Sequence, residues 1–148
     1  MKNLKHLILI VLLAIFGYSQ ACTSFMVTKS ASVDGSNMVS YCADSYVRYG
    51  VLYYTPAADW PAGSMRVCYD RGTNAPRGSV PQPAHTYQVV GYINEHQVVL
   101  GESTFGGREE LIDPTGIVDY GSLMFIALER SRSAREAIKT MADLVEEY

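Results

Sequence analysis

The spacing of apolar residues changes period once along this chain, and that change limits its possible folds more than any other feature. Up to Ser103, short runs rich in Val, Tyr and Thr alternate with Gly, Pro, Asn and Asp, a pattern typical of strands joined by turns. From Tyr120 onward the apolar residues recur every three or four positions, which is the period of a helix. Strands followed by helices predict an α+β fold with an antiparallel sheet.

The first part of the chain contains six predicted strands and one long predicted loop. Asp34-Gly35 predicts a hairpin between the first two strands, and Asn94–His96 is predicted as the turn of a second hairpin. We expect the first strand to lie in the centre of a sheet and 71–84, with three prolines and two glycines, to be a loop. The predicted strands are Thr23–Thr28, Met38–Cys42, Val47–Tyr54, Met65–Tyr69, Thr86–Ile93 and Gln97–Ser103.

Two helices are predicted to follow and to pack on the sheet. Ser133-x-x-Glu136 is a capping box that begins the second helix. This helix runs to Tyr148 without the Gly, Asn or basic residues that commonly end helices, so we expect 22–148 to be the N-terminal portion of a longer domain. The apolar positions are Tyr120, Leu123, Met124, Ala127 and Leu128 in the first helix, and Ala134, Ala137, Ile138, Met141, Leu144 and Val145 in the second.

Residues 1–21 have the pattern of a secretory signal peptide. Lys2 and Lys5 precede the apolar run 7–17, and Ser19-Gln20-Ala21 fits a small-x-small cleavage site. The run is shorter than the ~20 residues of a membrane span. Cleavage after Ala21 leaves 127 residues with a formal charge of −5, because it removes two lysines from a chain of charge −3. We therefore expect export to the periplasm or the extracellular space.

The same junction has a second interpretation, in which Cys22 carries a lipid anchor. A bacterial lipoprotein signal usually has an aliphatic residue three positions before the cysteine and a small residue two before it, where this chain has Ser19 and Gln20. The other two cysteines, Cys42 and Cys68, have two interpretations of their own. They form a disulfide in an oxidising compartment, or each is a small buried apolar residue.

A cysteine at a mature N-terminus has its general base in the same residue. The thiol is a nucleophile, and the α-amine has an unperturbed pKa of about 7.7–8.0, suited to proton transfer near neutral pH. No histidine is then needed, and we expect His85 and His96, which sit next to turns, to be surface residues. The sequence has no basic patch for nucleic acid and no zinc-ligand spacing, so no cofactor, metal, nucleic-acid partner or stable membrane partner is expected.

Three separated motifs resemble a known family. The stretches are CTSFMVTKSASVDGSNMVSYCADS at Cys22–Ser45, GYINEHQVVLGEST at Gly91–Thr104 and LERSRSAREAI at Leu128–Ile138. In this order they resemble the N-terminal-nucleophile (Ntn) cysteine dipeptidases, distant kin of bile salt hydrolases and penicillin V acylases. The resemblance implies an αββα sandwich that hydrolyses the peptide bond of short peptides through a thioacyl-enzyme.

The resemblance also implies roles for three residues. Cys22 is the nucleophile, Asp44 orients the N-terminal amine, and Asn94 contributes to the oxyanion hole, as an asparagine does in the related acylases. One position departs from the family, since Tyr41 stands where relatives commonly have an arginine. Arg48 and Arg66 are the candidates to replace that arginine. Glu102, Ser103 and Thr104 end a predicted strand and either hydrogen-bond across it or line the substrate cleft, and no catalytic role is expected for them.

Two other functions remain open from the sequence. One is an amide acylase of the same fold, with a bile-salt or penicillin-type substrate selected by loops such as 71–84. The other is a catalytically silent secreted or lipid-anchored binding protein, in which the fold persists without the chemistry. The oligomeric state has no signal in the sequence.

Overall fold

A computed structural model describes residues 22–44, 50–70, 72–103 and 107–148. They belong to two compact units. The first unit comprises 22–44 with 102–103, and the second comprises the other described residues. The predicted signal peptide and residues 47–49 of the predicted third strand lie outside the described residues.

The first unit is built on an antiparallel hairpin. Strand β1 (Thr23–Val27) pairs with β2 (Met38–Cys42), with Thr23 opposite Cys42 and Val27 opposite Met38. Both predicted strands are confirmed. The predicted hairpin is confirmed as well. Its connection is residues 28–37, in which Asp34 Oδ1 accepts hydrogen bonds from the backbone N–H and hydroxyl of Ser36. These bonds hold the pKa of Asp34 below its usual value.

The expected central position of β1 is wrong for the described part of the chain. There β1 has one neighbouring strand, β2. On β1 the segment 102–103 makes bonds that involve serine hydroxyls rather than a strand ladder. A β-bridge needs paired N–H and C=O groups of two extended backbones. Here the hydroxyls of Ser24 and Ser103 hydrogen-bond to backbone carbonyls instead.

The second unit contains seven short strands, all paired antiparallel. They form a three-stranded sheet in the order β3-β8-β9 and two pairs, β4 with β7 and β5 with β6. In chain order the strands are β3 (Tyr54–Thr55), β4 (Ala58–Asp59), β5 (Met65–Tyr69), β6 (Pro76–Pro81), β7 (His85–Thr86), β8 (Val89–Val90) and β9 (Ile93–Asn94).

The predicted loop 71–84 is wrong, because it contains β6. Its prolines at 76 and 81 are the first and last residues of the strand, where a missing N–H does least harm to the ladder. Gly78 has a φ of 158°, and a Cβ there would lie 2.8 Å from Cγ2 of Ile117. Only glycine therefore lets this strand approach Ile117.

The second predicted hairpin has its tight turn in a different place. The turn between β8 and β9 is Gly91-Tyr92, with Gly91 at a φ of +57°. After the further turn at residues 94–97, the returning chain makes a single bridge, Val99 with Ile93. The long predicted strands 86–93 and 97–103 are therefore wrong, although the chain reverses there. Of the predicted third strand, only Tyr54 lies in β3.

Both predicted helices are confirmed. Helix α1 (Tyr120–Arg130) begins at Asp119, whose carboxylate accepts from the N–H of Ser122 at 2.8 Å. Helix α2 (Ala134–Glu147) begins at Ser133, whose hydroxyl accepts from the N–H of Glu136. A short 3₁₀ turn, Glu109–Leu111, precedes them.

Helix α1 is buried against two apolar clusters. One contains Val89, Val98, Ala127, Leu128 and Ala137. The other contains Cys68, Val80, Ile126 and Leu144. The expected packing of helices on strands is confirmed, since α1 contacts β7, β8 and β9. Four of the predicted apolar helix positions are exposed instead of packed, namely Tyr120, Ala134, Ile138 and Val145.

The antiparallel α+β class is thus confirmed. The described strands form four small sheets, and the αββα sandwich implied by the resemblance stays a prediction. Within the described residues no helix combines the length and apolar character needed to cross a membrane.

Replacing Ile126 by alanine should lower the free energy of unfolding by about 2–5 kcal/mol, because the side chain is fully buried and its removal leaves a cavity. The matched control is Ile138→Ala on α2, where the isoleucine is 64% exposed, and it should change stability by less than about 0.5 kcal/mol. Urea denaturation of both variants measures the difference. Equal losses would contradict the assignment of Ile126 to the core.

Candidate active site

Cys22 lies directly before β1, on the same face of the hairpin as two polar side chains. Alternate residues of a strand point to the same side, so Cys22 is aligned with Ser24. Ser24 is directly opposite Tyr41 in the β1-β2 register, and opposite residues share a face. The hairpin therefore presents a thiol and two hydroxyls together.

The carboxylate of Glu102 lies against this face. Its Oε1 accepts a hydrogen bond from the Tyr41 hydroxyl at 2.5 Å and a longer one from the Cys22 thiol at 3.7 Å. Both residues and Glu102 are partly buried. The thiol and the phenol, which are about 80 and 60 residues away in sequence, thus converge on one carboxylate oxygen.

The backbone around Glu102 is attached to β1 at two points. The Ser24 hydroxyl donates to the carbonyl oxygen of Glu102 at 3.3 Å, and the Ser103 hydroxyl donates to the carbonyl oxygen of Cys22 at 3.4 Å. Together with the Tyr41 bond, these contacts hold the carboxylate in place beside Cys22. Such multiple support is what a functional side chain needs to keep a defined position.

Sequence reasoning missed the contact between Glu102 and Cys22. It placed Glu102 at the end of a strand, either hydrogen-bonded across that strand or lining the substrate cleft. No spacing rule relates positions that are joined only by the long-range attachment of 102–103 to β1. The one sequence signal that could have indicated this contact is Tyr41. A tyrosine hydroxyl in place of the common arginine can donate a neutral hydrogen bond to a carboxylate, so the change points to a different partner at this position.

The sequence offered two candidates for the missing arginine, Arg48 and Arg66. Arg48 lies outside the described residues. Arg66 forms an ion pair with the buried carboxylate of Glu129 in the second unit. At the position of the arginine, Tyr41 contributes a neutral donor to Glu102.

Asp44 follows β2 by two residues, and its Oδ1 lies 3.9 Å from the thiol of Cys42. Cys42 alternates with Tyr41 along β2, so its side chain is on the other face of the hairpin. The predicted role of Asp44, orienting the N-terminal amine, stays a prediction.

Asn94 is in the second unit, where it is buried and fully hydrogen-bonded. Its Nδ2 donates to the carbonyl oxygens of Leu128 at 2.7 Å and Ser131 at 2.6 Å. Its Oδ1 accepts from the N–H groups of His96 and Val98, both at 3.0 Å. A side-chain amide has two N–H donors, and both are used here to join the 94–97 turn to the end of α1. The predicted role of Asn94 in the oxyanion hole stays a prediction. It requires one N–H of the amide to leave the carbonyl oxygen of Leu128 or Ser131 to which it is bonded.

The second unit also contains an open cleft of about 410 Å³, which is within the usual size range for ligand pockets. The Arg66–Glu129 pair lines it. Beside this pair, burial and then the charge of Arg66 lower the pKa of Arg130. The remaining lining residues are Thr55, Pro56, Trp60, Met65, Val67, Tyr69, Gln82 and Thr86.

The remaining predicted positions are structural or exposed. His85 and His96 are both exposed, as expected; His85 Nδ1 lies 2.7 Å from Asp59 Oδ1. Cys68 is a buried member of the core and is not in a disulfide, and burial raises the pKa of its thiol. Across the described ranges, no group of three or more His, Cys, Asp or Glu side chains is arranged to hold a metal ion.

Comparison with known proteins identifies the class of protein to which this fold and site belong. Residues 21–148 match the peptidase family C69, and the chain therefore belongs to that family of peptidases. A probable dipeptidase of Latilactobacillus sakei is 30% identical over 147 residues. The alignment covers 86% of this chain and 30% of that protein. The resemblance to cysteine dipeptidases is thereby confirmed at the level of the family. No solved structure matches the chain significantly.

Replacing Asn94 by aspartate should lower the free energy of unfolding by about 2–5 kcal/mol, because an acceptor oxygen would then face two carbonyl oxygens that lose their donors. Urea denaturation measures the loss. The matched control is Asn37→Asp, which keeps the exposed oxygen that accepts from the N–H of Lys29 and should be nearly neutral. Equal stability of the two variants would contradict the linking role of Asn94.

Proposed function

We propose that this chain carries the nucleophile of an exported thiol dipeptidase. The observation that supports the proposal most is the cluster at the start of β1, where the Cys22 thiol meets Glu102 beside Tyr41. The family match begins at residue 21, next to the predicted cleavage site. The chain spans about 30% of the length of the curated relative that it matches, so the proposal concerns the full-length protein.

In the proposed reaction, removal of residues 1–21 exposes the α-amine of Cys22. The thiol gives its proton to this amine as its sulfur bonds to the carbonyl carbon of the substrate. The protonated amine then donates to the leaving nitrogen, the peptide C–N bond breaks, and a thioacyl-enzyme remains. Water attacks that carbonyl with the amine as base, and the C–S bond breaks to return the thiol. Proton transfer by such a group typically contributes about 10²–10⁴ in rate.

Asp44 and Asn94 have supporting roles in this proposal. Asp44 would orient the amine through its carboxylate. Asn94 would donate to the oxyanion, a role whose loss typically costs about 10²–10³ in rate. Because the amide of Asn94 also stabilises the turn, its kinetic effect must be measured on a variant that remains folded.

Replacing Cys22 by alanine in the full-length protein should abolish dipeptide hydrolysis, because the attacking sulfur is lost. The matched control is Cys42→Ser, which changes an exposed thiol next to Asp44 and should keep most of the activity. Initial rates on a dipeptide panel, with conjugated bile acids alongside, measure both variants. Hydrolysis that persists in Cys22→Ala would refute the nucleophile, and turnover of bile acids alone would favour the acylase.

The mature protein should begin at Cys22 and react with an aldehyde to form a thiazolidine, because only an N-terminal cysteine has both the amine and the thiol that this ring needs. Intact-mass measurement of the exported protein before and after the aldehyde tests this. A lipid-modified, unreactive N-terminus would instead support the lipoprotein.

A further inference from the structure

Glu102 places a negative charge beside the nucleophile without a role in the reaction described above. Its Oε1 is contacted by the Cys22 thiol and the Tyr41 hydroxyl. Both donors are neutral, so neither contact cancels the charge. A partly buried carboxylate is stabilised best by a cation, and the amine of Cys22 must be uncharged when it accepts the proton of the thiol.

We propose that Glu102 binds the α-ammonium group of the substrate, and that the site therefore selects peptides with a free N-terminus. This proposal rests on the proposed function and specifies its substrate class. The residue would act on specificity and would leave the proton transfers to the Cys22 amine.

The distances at the site suit this role. At attack, the sulfur approaches the scissile carbonyl carbon to about 3–3.5 Å. In a dipeptide, the α-nitrogen of the first residue is about 2.5 Å from that carbon across one Cα. A charge-assisted hydrogen bond from the nitrogen to a carboxylate spans about 2.7–2.9 Å. A carboxylate 3.7 Å from the sulfur is therefore within hydrogen-bond reach of the first ammonium group of a dipeptide whose carbonyl meets Cys22.

Tyr41 determines how that charge is presented. Its hydroxyl bonds Oε1 at 2.5 Å, and a carboxylate has about four acceptor positions on its two oxygens, so the bond fixes the orientation and leaves capacity for an ammonium. An arginine at position 41 would instead pair with Glu102 and neutralise it. The phenol therefore suits a site that must keep its negative charge for the substrate.

This role separates dipeptides from the acylase substrates. Bile-salt amides and penicillin-type amides have no ammonium group next to the scissile carbonyl. For them the carboxylate of Glu102 offers no ion pair and must be desolvated without compensation. The charge of Glu102 would therefore both favour the binding of dipeptides and disfavour the binding of the acylase substrates.

The test compares a dipeptide with its N-acetylated form on the full-length protein. The unmodified enzyme should cleave the free dipeptide with a kcat/KM about 10- to 100-fold higher, as expected for a charge-assisted bond. Glu102→Gln should lower kcat/KM for the free dipeptide by that factor, mainly through KM, since the ammonium is bound equally before and during attack. The acetylated substrate should change by less than about 2-fold.

Two variants serve as controls. Glu146→Gln removes an exposed carboxylate on α2 and should change neither substrate. Tyr41→Phe removes only the hydroxyl that orients Glu102, and should lower kcat/KM for the free dipeptide by a smaller factor than Glu102→Gln. If Glu102→Gln fails to fold, the kcat/KM values of Tyr41→Phe on the two substrates test the proposal in its place. Equal losses on both substrates in either variant, or equal cleavage of both by the unmodified enzyme, would overturn the proposal.

A binding measurement distinguishes failure of the proposed hydrolysis from failure of the proposed ammonium site. If the unmodified protein cleaves neither substrate, calorimetry on Cys22→Ala measures the affinity for each intact peptide. A preference for the free dipeptide that disappears in the Cys22→Ala/Glu102→Gln double variant would support the ammonium site without the enzyme. No preference would overturn the ammonium site as well.

Discussion

The burial of α1 is the constraint on which the second unit depends. Ala127 and Leu128 enter one apolar cluster, and Ile126 enters the other with Cys68 and Val80. The two two-stranded sheets are too small to be stable alone, since isolated strand pairs are marginal in water, and the strands of the three-stranded sheet are only two residues long. A helix buried on both sides gives them a shared core, and Asn94 fastens the 94–97 turn to its end.

The first unit obeys a different constraint, because polar contacts organise it. The large apolar residues of its hairpin, Phe25 and Met26 among them, are exposed, and the bonds of Ser24 and Ser103 attach the 102–103 segment to β1. Directional bonds fix positions more narrowly than apolar contacts do. This arrangement suits a unit whose task is to hold a carboxylate beside a thiol.

Tyr41 and Glu102 are best understood as one pair. Taken alone, the tyrosine is a departure from the common arginine that leaves the activation of the thiol in question. Taken with Glu102, it orients a negative charge 3.7 Å from the thiol of Cys22. Under the role proposed for Glu102, that charge selects substrates with a free amino group. The proposal then assigns the departure at Tyr41 to specificity rather than to loss of activity.

The sequence by itself determined the features that depend on neighbours along the chain. The β1-β2 pairing, both helices and the cap at Ser133 follow from residue spacing, because strand alternation and helix capping are local. The candidate nucleophile and the family were accessible for the same reason. Tertiary structure alone decided that Pro76–Pro81 forms a strand against Met65–Tyr69, that Ile138 faces solvent, and that Glu102 meets Cys22. Each of these depends on which distant segment packs alongside, and local spacing carries no record of that choice.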